Sequence, residues 1–211
     1  MLKLAILLVL TIGLSSANTI LFTLDQNGCS GSGGCGTGPF GTVSITDNGS
    51  GASAFVTVTE TLAASEWYVG TGAGEALEFN VAGAITITNL TPNFIIGPAP
   101  DKASTFGTFL ESVRCSTCQG GNASNPSGPL SFNVGSATGV TTGSFIDNTG
   151  LYFFASDIFG NNNTGNVAAK GGICTDCGGG TTQGDSPEPL SMFLMGGGLL
   201  GVGIFGKFRR A

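Results

Sequence analysis

The stretch Phe55-Val56-Thr57-Val58-Thr59-Glu60-Thr61-Leu62 alternates bulky apolar and polar side chains along most of its length. Successive side chains of a β-strand point to opposite faces, so this period of two predicts a strand with one buried and one exposed face. The same alternation recurs in shorter segments at residues 42–46, 75–81, 85–88, 130–134 and 151–154. Short strands at this spacing, separated by Asn, Asp, Gly and Pro turn signals, predict an all-β chain with a single β-sandwich or jelly-roll-like domain and Gly-rich loops.

Three segments depart from this pattern. Residues 105–113 are the one place where we expect a helix or an irregular segment. Residues 28–38 and 171–186 are rich in glycine and predict loops or disorder. The second of these resembles a flexible spacer that would hold a domain away from a membrane.

The composition excludes several classes of function. The 211 residues include 37 Gly and no His, which removes His-based catalysis, His metal sites and Ser-His or Cys-His nucleophile pairs. The formal charge is −6, and seven Lys and Arg residues in all cannot form a basic patch, so nucleic acid is not expected as a partner. Residues 18–186 hold seven Asp and five Glu against Lys102, Arg114 and Lys170, a net charge of −9.

The N-terminus has the form of a secretory signal peptide over residues 1–17. Lys3 precedes an apolar run at residues 4–14, and the small residues Ser15 and Ala17 occupy the positions that a signal peptidase prefers before its cut. The sequence therefore predicts export through Sec-type machinery. It also predicts a β-rich extracytoplasmic domain over residues 18–170, followed by the spacer at 171–186.

The C-terminus combines an apolar span with a basic end. Residues 190–206 carry no charge, and seventeen helical residues rise about 26 Å, close to the hydrocarbon thickness of roughly 30 Å. Residues 207–211 are basic and should stay in the cytoplasm, which would leave the body of the chain outside. We therefore predict a C-terminal transmembrane helix.

Pro187-Glu188-Pro189, the apolar span and Arg209-Arg210 together resemble the PEP-CTERM sorting tail of Gram-negative bacteria, over residues 187–211. Ser186 stands where members often carry Val, and Phe208 interrupts the basic run. The resemblance implies processing by an exosortase, a membrane-embedded cysteine transpeptidase-like enzyme. It also implies a membrane-anchored precursor, a final place at the cell surface or outside the cell, and exopolysaccharide as a partner.

Six cysteines fall into three close pairs, Cys29 and Cys35, Cys115 and Cys118, and Cys174 and Cys177. An even count in an exported chain predicts disulfides, most simply within each pair, with a cross-link such as Cys115 to Cys174 as the alternative. The two Cys-x-x-Cys pairs leave zinc binding and redox-active thiols open. However, 55 residues separate Cys118 from Cys174, far more than zinc-ribbon spacing allows.

Two weaker patterns indicate possible ligands. Trp67-Tyr68 would suit stacking on a sugar ring if both rings were exposed, although such residues more often fill a core or its rim. Asp157, Asn161 and Asn163 offer oxygen ligands of the kind that calcium prefers, although Asn and Asp are also common turn residues.

No catalytic constellation is visible in the chain. Glu75 and Glu78 are an odd number of residues apart, so a continuous strand would place them on opposite faces, which gives no support for an acid/base dyad. We therefore predict an exported, non-catalytic surface or extracellular-matrix protein that needs no cofactor. A secreted carbohydrate- or calcium-binding module is the alternative.

Overall fold

The computed structural model describes residues 17–72, 74–120 and 125–175. The predicted signal peptide before residue 17, most of the spacer, the sorting motif and the apolar span at 190–206 lie outside the described residues. Within these ranges the chain is all-β, with fifteen strands, two short 3₁₀ turns and no α-helix. None of the described residues belongs to a helix long and apolar enough to cross a membrane.

The strands, in chain order, are β1 (Thr19–Leu24), β2 (Gln26–Asn27), β3 (Gly41–Asn48), β4 (Phe55–Leu62), β5 (Trp67–Tyr68), β6 (Leu77–Phe79), β7 (Thr86–Thr88), β8 (Phe94–Ile96), β9 (Asp101–Ala103), β10 (Gly107–Phe109), β11 (Glu111–Cys115), β12 (Leu130–Gly135), β13 (Phe154–Gly160), β14 (Asn163–Ala169) and β15 (Gly172–Cys174). They form two antiparallel sheets and one separate hairpin. Sheet I has the order β15-β1-β3-β4-β12-β7. Sheet II has the order β2-β14-β13-β6-β11-β8, with β5 also paired to β13.

The buried faces of the two sheets share one hydrophobic core. Phe22 of β1 meets Phe154 of β13 edge to face with ring centroids 4.9 Å apart, and Phe79 of β6 lies 5.6 Å from Phe132 of β12. Alternate side chains of β1, β3, β4 and β12 supply the core from sheet I. Two antiparallel sheets packed around one core fit the predicted β-sandwich.

A second, smaller apolar cluster lies on the outer face of sheet II, where the β9–β10 hairpin covers it. Phe106 and Phe109 pack there against Ala155 and Ala168. The small alanine side chains allow the hairpin to approach the sheet closely. The hairpin also covers polar residues of sheet II, since the hydroxyl of Ser104 donates to the side-chain oxygen of Asn166.

Several predicted strands are confirmed. β4 has the predicted bounds, and β3, β7 and β12 contain or nearly match the predicted segments. The expectation at residues 151–154 is wrong, since Leu151 has a φ of +65° in a turn and β13 begins only at Phe154. Residues 105–113 are not a helix but contain β10 and the start of β11.

The β-rich domain also extends past the predicted boundary at residue 170. β15 pairs with β1 through Ile20 and Cys174, so the first residues of the expected spacer belong to sheet I. Glycine content led to the wrong boundary here, because an edge strand can include Gly172 where it packs closely on Ile20 and Phe22.

Candidate functional site

The outer face of sheet I carries hydroxyl side chains in a regular array, which we call the hydroxyl face. Strands β1, β3, β4 and β12 contribute alternate residues whose neighbours on the chain are mostly buried, and the edge strands β7 and β15 extend the face on either side. The face consists of Thr19, Leu21 and Thr23 from β1, Thr42, Ser44, Thr46 and Asn48 from β3, Phe55, Thr57, Thr59 and Thr61 from β4, Ser131 and Asn133 from β12, Thr86 and Thr88 from β7, and Ile173 from β15. Among the described residues of these strands, none on this face is charged.

The strand register aligns these side chains into rows across the sheet. One row runs through Thr19, Thr46, Thr57, Asn133 and Thr88. Neighbouring members are about 4.8 Å apart across strands, and rows repeat about every 6.8 Å along a strand. The sequence predicted β3, β4, β7 and β12, but only the register shows that their polar residues coincide.

Hydrogen bonds between neighbouring side chains fix part of this array. The hydroxyls of Thr19 and Thr46 are 3.0 Å apart, and those of Thr59 and Ser131 are also 3.0 Å apart. Thr57 donates to the amide oxygen of Asn133 over 3.1 Å. Because each hydroxyl has a donor and two acceptor sites, these contacts leave further capacity for a ligand.

A second candidate site is a pocket of about 510 Å³ between the loop at residues 70–75 and the end of β11. We call it the acidic pocket. Glu75 forms an ion pair with Arg114 at 3.2 Å on its wall, and the glutamate side chain is 13% exposed while the arginine is 50% exposed. Ile95 of the edge strand β8 lines the other side.

Asp157 of β13 holds the loop that forms this pocket. Its backbone N–H donates to the carbonyl of Glu75, and its backbone carbonyl accepts a hydrogen bond from the N–H of Val69. These two bonds fix both ends of the loop against β13. Its carboxylate oxygen Oδ2 accepts bonds of 3.3 Å from the backbone N–H of Thr71 and 2.6 Å from the Thr71 hydroxyl. The other oxygen, Oδ1, is buried without a hydrogen-bond partner.

Further carboxyl groups lie behind the pocket, under the β9–β10 hairpin. Glu78 of β6 is fully buried, and its Oε2 accepts a 3.5 Å bond from Asn166. The carboxyl of Asp101 lies close enough to Glu78 to raise its pKa.

Burial raises the pKa of Glu75, Glu78 and Asp157. The pKa of Glu78 is raised to about 9, first by burial and then by Asp101, Glu75 and Asp157. Burial raises the pKa of Asp157 to about 6 despite its bonds from Thr71. Burial also raises the pKa of Glu75, with Arg114 acting in the opposite direction.

This group of acids was not predicted. A continuous strand over 75–81 would place Glu75 and Glu78 on opposite faces, but only Leu77–Phe79 is a strand. Glu75 lies in the loop, near enough to Glu78 to raise its pKa. Asp101 lies in the β9–β10 hairpin, more than twenty residues further along the chain, and nothing in its local sequence indicates that it lies near Glu78.

The structure does not bring the three calcium candidates together. Asp157 binds Thr71, whereas Asn163 donates to the carbonyls of Gly34 and Asn161. Asn161 and Asn162 both have positive φ and form the two-residue turn between β13 and β14, which explains their Asn-rich sequence without a metal. No group of three or more His, Cys, Asp or Glu side chains in the described ranges is arranged to hold a metal ion.

Trp67 and Tyr68 do not form an exposed pair, since Tyr68 fills the core, the more common placement for such a residue. The two residues lie in β5, so their side chains point to opposite faces, and Tyr68 is fully buried in the core. Trp67 is partly buried and packs against Phe159, its cross-strand partner in β13, with ring centroids 5.9 Å apart and the rings tilted by 45°. The sequence did not single out Phe159, because its pairing with Trp67 depends on long-range register.

Two of the three cysteine pairs that the spacing predicts are disulfide-bonded. Cys29 is bonded to Cys35, and Cys115 to Cys118. Cys174 is disulfide-bonded as well, and Cys177, the partner that the spacing predicts, lies outside the described residues. These bonds indicate an oxidising environment, and they leave the four described partners without a thiolate for zinc.

Comparison of the whole chain with protein-family models finds no match. Neither the curated proteins nor the solved structures contain a match to it.

Proposed function

We propose that this chain is an exported, non-catalytic surface or extracellular-matrix protein that associates with neutral exopolysaccharide through its hydroxyl face. In this proposal, residues 1–17 direct Sec-type export, and an exosortase-like enzyme processes the tail at Pro187-Glu188-Pro189. The membrane-anchored precursor then becomes a protein of the cell surface or the extracellular space. The disulfides support this compartment, since such bonds form and persist outside the cytoplasm.

The single observation that carries the proposed partner is the absence of charge on the described hydroxyl face of a strongly acidic chain. Such an acidic protein repels anionic polymers elsewhere on its surface. A neutral polysaccharide has hydroxyls that donate and accept, as Thr and Ser do, and C–H surfaces that can pack on Thr methyl groups. The broad array offers many weak, equivalent contacts, which suits a long polymer better than a small molecule.

Cosedimentation with the host's own polysaccharide tests the partner. We expect the triple variant Thr57→Val, Thr59→Val, Thr61→Val to lose most of its polymer binding, because valine keeps the shape and removes the hydroxyl. Thr108→Val on the exposed β10 strand of the hairpin is the matched control and should bind normally. Equal binding by the triple variant would contradict the role of this face.

Intact mass of the protein recovered from its native host tests the sorting. A mass that lacks both residues 1–17 and the tail after the Pro187-Glu188-Pro189 region supports processing by an exosortase. A mass that retains residues 190–211 would show that the tail is an ordinary anchor and would contradict this part of the proposal.

One observation favours a second candidate, a carbohydrate-binding module. Trp67 and Phe159 form an aromatic surface beside the exposed turn at Asn161-Asn162. Aromatic faces of this kind stack on sugar rings, and asparagine side chains bond sugar hydroxyls. A glycan array tests this candidate. Trp67→Ala and Phe159→Ala should each abolish glycan binding, whereas the Val variant of the hydroxyl face should bind as the unsubstituted protein does.

A further inference from the structure

The Cys115–Cys118 disulfide lies where a small molecule can reach it. Both cysteines line the acidic pocket, whose volume of about 510 Å³ is within the roughly 300–1,000 Å³ of small-molecule sites. The loop that forms the pocket contributes glycines at positions 70, 72 and 74, which carry no side chains that would obstruct an approach. Cys118 is partly exposed, whereas Cys115 is only 9% exposed. An incoming reagent therefore reaches Cys118 more readily than Cys115.

The Cys29–Cys35 disulfide has different surroundings. Sγ of Cys35, a residue that is 1% exposed, lies 3.7 Å from the carbonyl oxygen of Asn163, and Sγ of Cys29 lies 4.0 Å from that of Asn166. A carbonyl oxygen at this distance repels a thiolate and favours the protonated thiol, which is a poor leaving group. Of the two disulfides whose partners are both described, Cys115–Cys118 is therefore the easier one to open.

The hydroxyl of Thr117 has the opposite effect on Cys115. It lies 3.8 Å from Sγ of Cys115, and a disulfide sulfur has no proton, so only the hydroxyl can donate across this contact. When the disulfide opens, the same hydroxyl can donate to the Cys115 thiolate. A hydrogen bond to the charged form lowers the pKa of a thiol, and a thiol of lower pKa leaves faster. Cys115 is therefore suited to be the leaving group.

Strand β11 does not depend on this disulfide for its position. Cys115 pairs with Phe94 of β8, and the backbone N–H and the hydroxyl of Ser116 both donate to the carbonyl of Asn93. A bridge between residues three apart also restricts the unfolded chain only slightly. The disulfide can therefore open and close while β11 stays in its sheet.

We infer that the Cys115–Cys118 disulfide exchanges with small thiols outside the cytoplasm and accepts two electrons from them. A thiolate attacks Sγ of Cys118, forms a sulfur–sulfur bond to it and expels Cys115 as a thiolate, to which Thr117 donates. A second thiolate attacks the sulfur of the first, which releases a small disulfide and leaves Cys118 as a thiolate. The two cysteine thiolates take up the two protons that the small thiols lost. In sum, two thiols are oxidised to one disulfide, and the protein's disulfide is reduced to two thiols.

Timed reduction of the full-length protein with reduced glutathione tests this inference. Free thiols are alkylated at each time, the remaining disulfides are reduced and alkylated with an isotopically heavier reagent, and mass spectrometry of the peptides gives the open fraction at each cysteine. We expect Cys115–Cys118 to open about tenfold faster than Cys29–Cys35. A rate no greater than that of Cys29–Cys35 would overturn the inference.

The position of the first glutathione adduct tests the direction of attack. Acid stops the exchange early, and peptide mapping then locates the mixed disulfide. We expect the adduct on Cys118, because Cys118 is the more exposed of the two and Cys115 has the hydroxyl donor. An adduct mainly on Cys115 would contradict the proposed exchange.

Thr117→Val removes the hydroxyl donor and should slow the opening of Cys115–Cys118 about fivefold. In the reduced protein it should also raise the pKa of the Cys115 thiol, which the pH dependence of alkylation measures. Thr117→Ser is the matched control, since it keeps a hydroxyl and should retain the original rate and pKa. Opening of Cys29–Cys35 is the internal reference and should be the same in all three proteins. An unchanged rate and pKa in Thr117→Val would overturn the assignment of Cys115 as the leaving group.

This exchange goes beyond the proposed association with polysaccharide and does not depend on the hydroxyl face. The triple Val variant of that face should open Cys115–Cys118 at the rate of the unsubstituted protein. Cosedimentation and glutathione exchange therefore report on separate sites, and failure of one proposal is distinguishable from failure of the other.

Discussion

The phenol of Tyr68 donates a 3.0 Å hydrogen bond to Oε2 of Glu60, and both residues are fully buried between the two sheets. Ser156 lies next to the same carboxyl but donates its proton to the carbonyl of Ala76, so Oε1 of Glu60 has no donor. Burial raises the pKa of Glu60 to about 8, and it raises the pKa of Tyr68 well above its usual value. At neutral pH this is therefore a neutral polar pair inside an apolar core.

Tyr68→Phe should destabilise the protein by about 1–3 kcal/mol, because it leaves the second oxygen of Glu60 without a donor in the core. Urea unfolding below the raised pKa of Glu60 measures this effect. Tyr152→Phe is the control, since that ring is only partly buried and packs on Phe106 at the surface hairpin. A similar loss in both variants would show that the Tyr68 hydroxyl has no special role.

Stability should fall as pH rises from about 5 to about 9. Glu60 and Glu78 have folded-state pKa values of about 8 and about 9, both raised from 4.5. Between these values the folded state holds protons that the unfolded state has released, so the free energy of unfolding decreases with pH. Urea unfolding across this range measures the slope.

Glu60→Gln should remove the part of that pH dependence that Glu60 contributes, because glutamine keeps an acceptor oxygen for Tyr68 and cannot ionise, whereas Glu78 still titrates. Gln26→Glu, on a short edge strand, would serve as a control that adds a carboxyl without burying it deeply. Stability that stays constant or increases towards pH 9 in the unsubstituted protein would contradict the burial of these acids.

Polymer binding at the hydroxyl face should be nearly independent of salt. Raising NaCl from about 0.01 M to about 1 M shortens the Debye length from about 30 Å to about 3 Å, which weakens exposed charge interactions. Because the described face is uncharged, the cosedimented fraction should change little. A steep loss of binding with salt would assign the contact to charged groups elsewhere on the protein.

Gly165→Ala should cost at least about 2 kcal/mol of stability. Gly165 has a φ of +144°, and an added Cβ would lie 2.7 Å from Cα of Cys29 in the neighbouring disulfide loop. Gly171→Ala is the matched control, since a Cβ there meets nothing within 4 Å. Urea midpoints should separate the two variants clearly, and equal midpoints would contradict the close packing of β14 on this loop.

The denatured, unreduced protein should take up no thiol reagent, and reduction should expose six thiols. Mass spectrometry after alkylation counts them directly. Uptake of reagent before reduction would show that the pairing Cys29–Cys35, Cys115–Cys118 or the bond at Cys174 is incomplete.

Local sequence predicts a strand well when one face is buried and the other is exposed, because apolar and polar residues then alternate. β4 could be located because Val56 and Val58 alternate with Thr57 and Thr59. The sequence does not predict β13 because both of its faces are buried, one of them, with Ala155 and Asp157, under the β9–β10 hairpin. Its residues therefore do not alternate between apolar and polar. A strand covered on both sides loses the period of two that reveals it.

The residues of the candidate sites also differ in whether the sequence alone could identify them. The amino-acid sequence is enough to show a chain rich in β-strands, acidic, without histidine and with closely spaced cysteines, since these features depend on composition and near neighbours. Folding is needed to place Tyr68 in the core, Phe159 beside Trp67 and Asp101 near Glu78. Strand register and hairpin packing join residues distant in the chain, and no local pattern encodes those contacts.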